Sequence, residues 1–255
     1  MNTAGTSLLA ADEPPPFTVS NEAGGSPFVI VADHAGKYIP RRLQMLGLEP
    51  AERERHIAWD IGAGAVAAML GDALDAVVIR QNYSRLVIDC NRTPGFETSI
   101  AEMSEFTPIP GNIGLTAAQM EDRAREIFRP YHDRIASELD RRRVAGRAAV
   151  LIAMHSFTPV FKAEARPWHV GILYNRDPRL ARRLIDLLRH EGGLTVGDNE
   201  PYSMGDATDY TVPVHGERRN LLHVEIEIRQ DLIADEAGQR RWAELFARLL
   251  SQAVL

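Results

Sequence analysis

Short, nearly unbroken apolar runs alternate along this chain with longer stretches in which apolar residues recur every three or four positions. The short runs read as strands at 27–32, 76–80, 85–89, 148–154, 169–173 and 221–228. Runs 27–32 and 148–154 carry almost no polar side chains, the pattern of central strands covered on both faces. Runs 76–80 and 85–89 are separated only by Gln81-Asn82-Tyr83-Ser84, which predicts a hairpin and therefore a mixed sheet. The clearest helix is 178–190, with Asp177 as cap, Pro178 in the first turn, an apolar stripe of Leu180, Leu184, Leu187 and Leu188, and Gly192-Gly193 as the stop. Thr116-x-x-Gln119 is a capping-box pattern that opens a second helix, which Pro130 should kink or split before it runs on to about residue 143. Further helical patterns cover about 55–71 and 236–251. Strands alternating with helices predict a layered α/β fold.

The strand around 223–229 is patterned differently. Side chains alternate across a strand, so His223, Glu225, Glu227 and Arg229 share one face and Val224, Ile226 and Ile228 the other. At a sheet edge the polar face is simply solvated. In a central strand those carboxylates must be paired, metal-bound or catalytic, because an unpaired buried charge is expensive.

Composition adds limits. The chain has 255 residues, 45% hydrophobic and 25% charged, enough to bury a core without staples. Residues 1–20, interrupted by Pro14-Pro15-Pro16, are expected to be a flexible arm, and 21–255 a single catalytic α/β domain. The net charge of −6, with both signs mixed, excludes the basic stripe of a nucleic-acid binder. Cys90 is the only cysteine, so no internal disulfide can form and a reducing compartment is expected. With no basic leader and no long apolar run, the expectation is a cytoplasmic protein with no membrane partner. Oligomeric state is left open.

Chemistry concentrates where strands end. Asp33-His34-Ala35-Gly36 follows one apolar strand and Met154-His155-Ser156 another. One such histidine commonly just bonds a loop carbonyl; two at the ends of central strands converge on one sheet edge, where α/β folds keep their active sites. Zinc favours such imidazoles together with a carboxylate. Asp60, in the acidic segment Ala58-Trp59-Asp60-Ile61-Gly62, either faces that cleft or serves a helix N-terminus. Arg85 and Arg92 flank the segment 85–92, suited either to bidentate recognition of a substrate carboxylate or to ordinary surface ion pairs. There is no Gly-x-Ser-x-Gly elbow, no base beside Cys90, and no Gly-rich dinucleotide turn.

Taken together, Asp33-His34-Ala35-Gly36, Trp59-Asp60, Asn82-x-x-Arg85 through Asp89-Cys90-Asn91-Arg92, Met154-His155-Ser156, Gly197-Asp198-Asn199-Glu200-Pro201-Tyr202 and Glu225-Ile226-Glu227-Ile228-Arg229-Gln230 resemble the N-formylglutamate amidohydrolase family, itself similar to the zinc carboxypeptidases and aspartoacylase-type deacylases. The resemblance implies a three-layer α/β/α fold with a central mixed sheet, of the zinc carboxypeptidase and phosphorylase/hydrolase-like kind. It implies a zinc cofactor on His34 and His155, with Glu227 as general base and acid. Arg92 joins Glu227 as a catalytic cation and, with Asn91, grips the substrate's α-carboxylate; Arg85 is a further anion contact. Carboxypeptidases place a glutamate three residues after the first histidine; here that position is Lys37, so Asp60 is expected as the third ligand. His215 and Arg218, with Arg219, lie in a loop before the 221–228 strand and are expected to meet a side-chain carboxylate. The activity implied is hydrolysis of N-formyl-L-glutamate to formate and glutamate. Its alternatives are a zinc deacylase or carboxypeptidase-like hydrolase for another N-acyl amino acid, and a metal-free relative that binds an acidic ligand.

Overall fold

The computed structural model describes residues 7–206 and 208–254. A seven-stranded sheet forms its middle layer: β1 (Phe17–Ser20), β2 (Phe28–Ala32), β3 (Val77–Gln81), β4 (Val150–Phe157), β5 (Val170–Leu173), β6 (Val196–Asp198) and β7 (Leu222–Arg229), in the order β1-β3-β2-β4-β7-β5-β6. The inner strands β3, β2, β4 and β7 run parallel, β1 pairs antiparallel with β3, and β5 pairs antiparallel with β7. The sheet is mixed, as expected, but not because of a hairpin. Residues 85–89 form no strand: Arg85 N–H donates to Ala58 O, Val87 N–H to Ser84 O and Asp89 N–H to Ser99 O, so turns and loops take the donors a ladder would need. The stretch expected to be a loose arm is docked over residues 7–20. Its last four residues are β1, Leu8 is buried, and the Glu13 carboxylate accepts from Ala10 N–H and Arg41 N–H at 2.7 Å each.

Alternation along β2 builds both faces. Phe28, Ile30 and Ala32 join a core with α1 (Ala63–Leu74), α4 (Arg179–His190) and α5 (Glu236–Val254). Val29 and Val31 face α3 (Arg129–Val144) across the sheet, in a core with Ile127, Tyr131 and Ile135. The stripe predicted on α4 is the buried one: Leu180, Leu184 and Leu188 are at most 1% exposed. Both bonds of the Thr116–Gln119 capping box open α2 (Ala117–Arg123). The predicted break near Pro130 is a π-helical turn, Ala124–Phe128, between α2 and α3; proline has no N–H to continue the ladder there.

The helical pattern placed at 55–71 starts later, at Ala63. Gly62 has φ of 80°, and a Cβ on it would lie 2.2 Å from the Ile233 carbonyl oxygen, so the chain turns sharply before α1 and Asp60 stays outside the helix. Strand β7 is central, between β4 and β5, and Glu225 and Glu227 are buried at 3% and 5% exposure. The solvated-edge reading of that strand is excluded. No helix among the described residues is long and apolar enough to cross a membrane.

Candidate active site

The connection from β2 to α1 supplies His34 and Asp60 and β4 supplies His155; all three are buried, with one ligand atom of each within 4.8 Å of the others. His34 follows β2 and His155 lies near the end of β4, so the parallel strands deliver both imidazoles to the same edge. Asp60 is held beside them by its N–H, which donates to His34 O at 2.9 Å. Its Oδ2 lies 2.9 Å from His155 Nδ1 and 3.4 Å from His34 Nδ1. The small residues after His34 let this loop close against the next: a Cβ on Gly36 would lie 2.0 Å from Asn82 O.

The second nitrogen of each ring also faces a carboxylate. His34 Nε2 lies 2.7 Å from Asp89 Oδ1. His155 Nε2 lies 3.3 Å from Asp33 Oδ2, at ion-pair distance but too misaligned for a hydrogen bond. Asp33 is steadied by Tyr131, whose hydroxyl donates to its Oδ1 at 2.7 Å, and Asp89 by Arg85, whose Nε and Nη2 donate to its Oδ2. Each ring thus lies between two carboxylates, Asp60 at Nδ1 and Asp89 or Asp33 at Nε2; a cation taking the place of the Nδ1 proton would leave the Nε2 proton facing the carboxylate behind it, the arrangement of metal-binding histidines. Two imidazole nitrogens and one carboxylate oxygen fit a divalent cation, and the buried Asp33 Oδ2, His155 Nε2, Glu225 Oε2 and Glu227 Oε2 have no hydrogen-bond partner.

The electrostatics are those of a crowded anionic pocket. Burial works against a charged His155, but Glu225, Asp33 and Asp60 outweigh it and hold its pKa well above the usual value. For His34, burial and Arg85 are outweighed by Asp89 and Asp60. Asp60 is held far below the ordinary carboxylate range: burial is overcome by His34 and His155. Glu227 is the register partner of His155 on the adjacent parallel strand. Burial lifts its carboxyl to about 7 against the pull of His155. Burial also pushes Glu225 well up, with Asp209 and Glu227 adding to it; its Oε2 lies 3.9 Å from His155 Nε2.

A family model described as N-formylglutamate amidohydrolase matches residues 26–234, a span that holds every one of these residues. The chain belongs to the N-formylglutamate amidohydrolase family. An N-formylglutamate deformylase of Pseudomonas putida is 27% identical over 257 residues, covering 90% of each chain. The crystal structure of a gene product of Agrobacterium tumefaciens is 36% identical, covers 97% of this chain and 98% of its own, and superposes with a TM-score of 0.94. An N-formylglutamate amidohydrolase from Ralstonia eutropha, 19% identical over 94% of this chain and 99% of its own, shares the fold at a TM-score of 0.64.

Within this N-formylglutamate amidohydrolase family member, the residues expected at the site have different fates. His34, Asp60 and His155 converge, and Arg85 joins them through Asp89 and, at 3.5 Å, Asp60. Lys37, at the position of the carboxypeptidase glutamate, points elsewhere: its ammonium pairs with Glu54 and lies 5.0 Å from the Trp59 ring centre. Asn91 and Arg92 are engaged by the loop before β7. Asn91 Oδ1 accepts from Tyr210 N–H and Thr211 N–H, its Nδ2 donates to Asp209 Oδ1 at 3.3 Å, and Arg92 Nη1 lies 3.6 Å from the same oxygen. His215 is buried edge to edge with His132, ring centres 5.2 Å apart, planes 10° from parallel and His215 Nε2 3.0 Å from His132 Nδ1. Arg218 is exposed, and Arg219 turns away to Asp140 at 2.9 Å. Sequence reasoning gave no role to Tyr131, His132, Arg166 or Asp209, which come from distant segments; Asp33 and Asp89 had a local signal, since both lie inside the motifs quoted.

Proposed function

We propose that this protein hydrolyses the formyl amide of N-formyl-L-glutamate to formate and glutamate, with zinc held by His34, Asp60 and His155. The observation that carries the reading is the convergence of two imidazoles and a carboxylate, each imidazole backed by a further carboxylate, inside the span that matches the family. Bound there, zinc would polarise the formyl carbonyl and acidify a water. Glu227, a buried carboxylate lifted to about 7, is suited to take the proton of the attacking water and pass it to the leaving nitrogen as the C–N bond breaks. Water thus supplies the oxygen of formate and the proton of the released amine. Arg85, Asn91 and Arg92 anchor the α-carboxylate on the side of the site where Asp209 now holds Asn91 and Arg92. Residues 21–255 act as one catalytic unit.

Formate release from a panel of N-acyl amino acids, with metal analysis of the purified protein, tests the reading. The expected result is N-formyl-L-glutamate as best substrate, about one zinc per chain, and loss of both zinc and turnover in His155→Ala. Turnover confined to a different acyl group overturns the substrate; zinc-free protein with full activity overturns the mechanism.

A further inference from the structure

The cations expected for the substrate's side-chain carboxylate are otherwise placed: Arg219 is paired with Asp140, His215 is buried against His132 with their nitrogens 3.0 Å apart, and Arg218 is exposed and forms no ion pair among the described residues. Another guanidinium does have a built setting. After β4 the chain makes a small hairpin, Val160–Phe161 with Glu164–Ala165, and Arg166 returns to it through its N–H, which donates to Pro159 O at 2.8 Å. The Arg166 guanidinium carbon lies 4.6 Å from the ring centre of Phe161, 4.7 Å from that of Tyr202 and 5.9 Å from that of Phe157. Its Nη1 donates to Tyr202 Oη at 2.8 Å. Among the described residues it forms no ion pair, whereas Arg85 is neutralised by Asp89 and Asp60, and Arg92 by Asp209.

Its place is beside the reaction centre. Phe157 is two residues beyond His155 on β4, so the two side chains share a face. Tyr202 feels the charges of Glu227 and Arg85, and His56 those of both Arg85 and Arg166. Tyr202 is carried there by the tight approach of the 197–202 loop to β5, where a Cβ on Gly171 would lie 2.0 Å from Glu200 O. Tyr202 is 41% exposed, so this platform borders solvent.

Resting on the reading above, we propose that Arg166 binds the second, side-chain carboxylate of the acidic N-acyl amino acid and so sets the preference for dicarboxylates. A guanidinium held by rings keeps its charge, spends little entropy on docking, and presents the remaining N–H donors as a planar fork that matches a carboxylate. The hairpin that carries it emerges directly from the strand bearing His155, so the cation and the reaction centre are set relative to each other by one short segment.

The test compares N-formyl-L-glutamate with its neutral isostere N-formyl-L-glutamine in wild type, Arg166→Met and Arg166→Lys, with dicarboxylate binding followed in parallel by titration calorimetry using glutarate. In Arg166→Met, kcat/KM for the acidic substrate should fall about 10–100-fold, mostly through KM, the size expected for loss of a charge-assisted contact. Turnover of the neutral substrate should change by less than about three-fold, and Arg166→Lys should recover part of the preference. Glutarate should bind wild type and lose affinity in Arg166→Met. Equal losses on both substrates, or an unchanged preference, overturn the assignment while leaving the hydrolase reading intact. Arg166-dependent glutarate binding without turnover of any formyl amino acid sinks the hydrolase reading and keeps the assignment; wild type that neither binds glutarate nor prefers the acidic substrate sinks the assignment.

Discussion

His34 shows how a single side chain depends on the residue behind it. Its ring is fixed by Asp89 at Nε2, and Asp89 is in turn held by Arg85 and by Asn91 N–H, which donates to Asp89 Oδ1 at 2.8 Å. Asp89→Asn keeps an acceptor for the ring but removes the charge that strengthens the histidine as a ligand. Zinc affinity should fall about 10–100-fold in this variant, read by competition with a chromophoric chelator, with an unchanged circular dichroism spectrum. An affinity equal to wild type would remove Asp89 from the metal centre. The same chain of contacts explains what could be read early and what could not. Asp33 and Asp89 sit in short motifs, but their pairing with His155 and His34 spans loops that no periodicity connects.

Between elements, the contact of α3 with the turn Val212–Gly216 is made by a pair of histidines. His132 Nε2 lies 2.7 Å from Cys90 O, and a carbonyl only accepts, so that nitrogen bears the proton. His132 Nδ1 is then the acceptor for His215 Nε2–H at 3.0 Å, and both rings are neutral. Burial lowers His132 to about 4; burial and then His132 lower His215 to about 3. Unfolded histidines titrate near about 6.5, so between that value and the folded ones the unfolded chain binds protons that the folded chain does not. Stability from this pair is complete above about pH 6.5 and is lost as pH falls toward the folded values, by up to about 1.4 kcal/mol per pH unit for each ring. His34 and His155, raised in the folded state, act in the opposite sense, so the informative quantity is a difference. Urea unfolding of wild type and His215→Asn at pH 5 and pH 7 should show a smaller loss on acidification in the variant. Identical losses would mean that His215 does not titrate on unfolding. On this scale the helices were the most legible elements: the α4 stripe, the capping box of α2 and the break before Pro130 are all written in consecutive residues. The start of α1 was misplaced because Gly62 turns the chain against Ile233, far away in sequence.

Across the whole molecule, the triad ties the two ends of the β2–α1 connection, at His34 and Asp60, to His155 on β4. A cation that binds only the folded state stabilises it by mass action, by about 4 kcal/mol at a thousandfold excess over Kd. Chelation should therefore lower the Tm of wild-type protein by several degrees and leave that of His155→Ala unmoved, as followed by calorimetry. A chelator-insensitive wild type would show that the triad holds no metal.

The division between chain and fold follows from the range of the forces involved. Apolar periodicity, capping residues and the place of His34 and His155 at strand ends are local, so the α/β class and the two imidazoles could be read from consecutive residues. The strand that was not formed at 85–89 shows the limit. Those residues are apolar enough for a strand, yet their N–H groups are claimed by Ala58, Ser84 and Ser99. Whether the polar face of β7 is buried, which carboxylate completes the triad, and which arginine is left without an ion pair are decided only when distant segments compete for the same partners. Lys37 was spoken for by Glu54, Arg219 by Asp140 and Arg92 by Asp209, while Arg166 gained an aromatic platform and, among the described residues, no ion pair. Charge pairing inside a folded protein is an allocation among neighbours that sequence distance does not reveal.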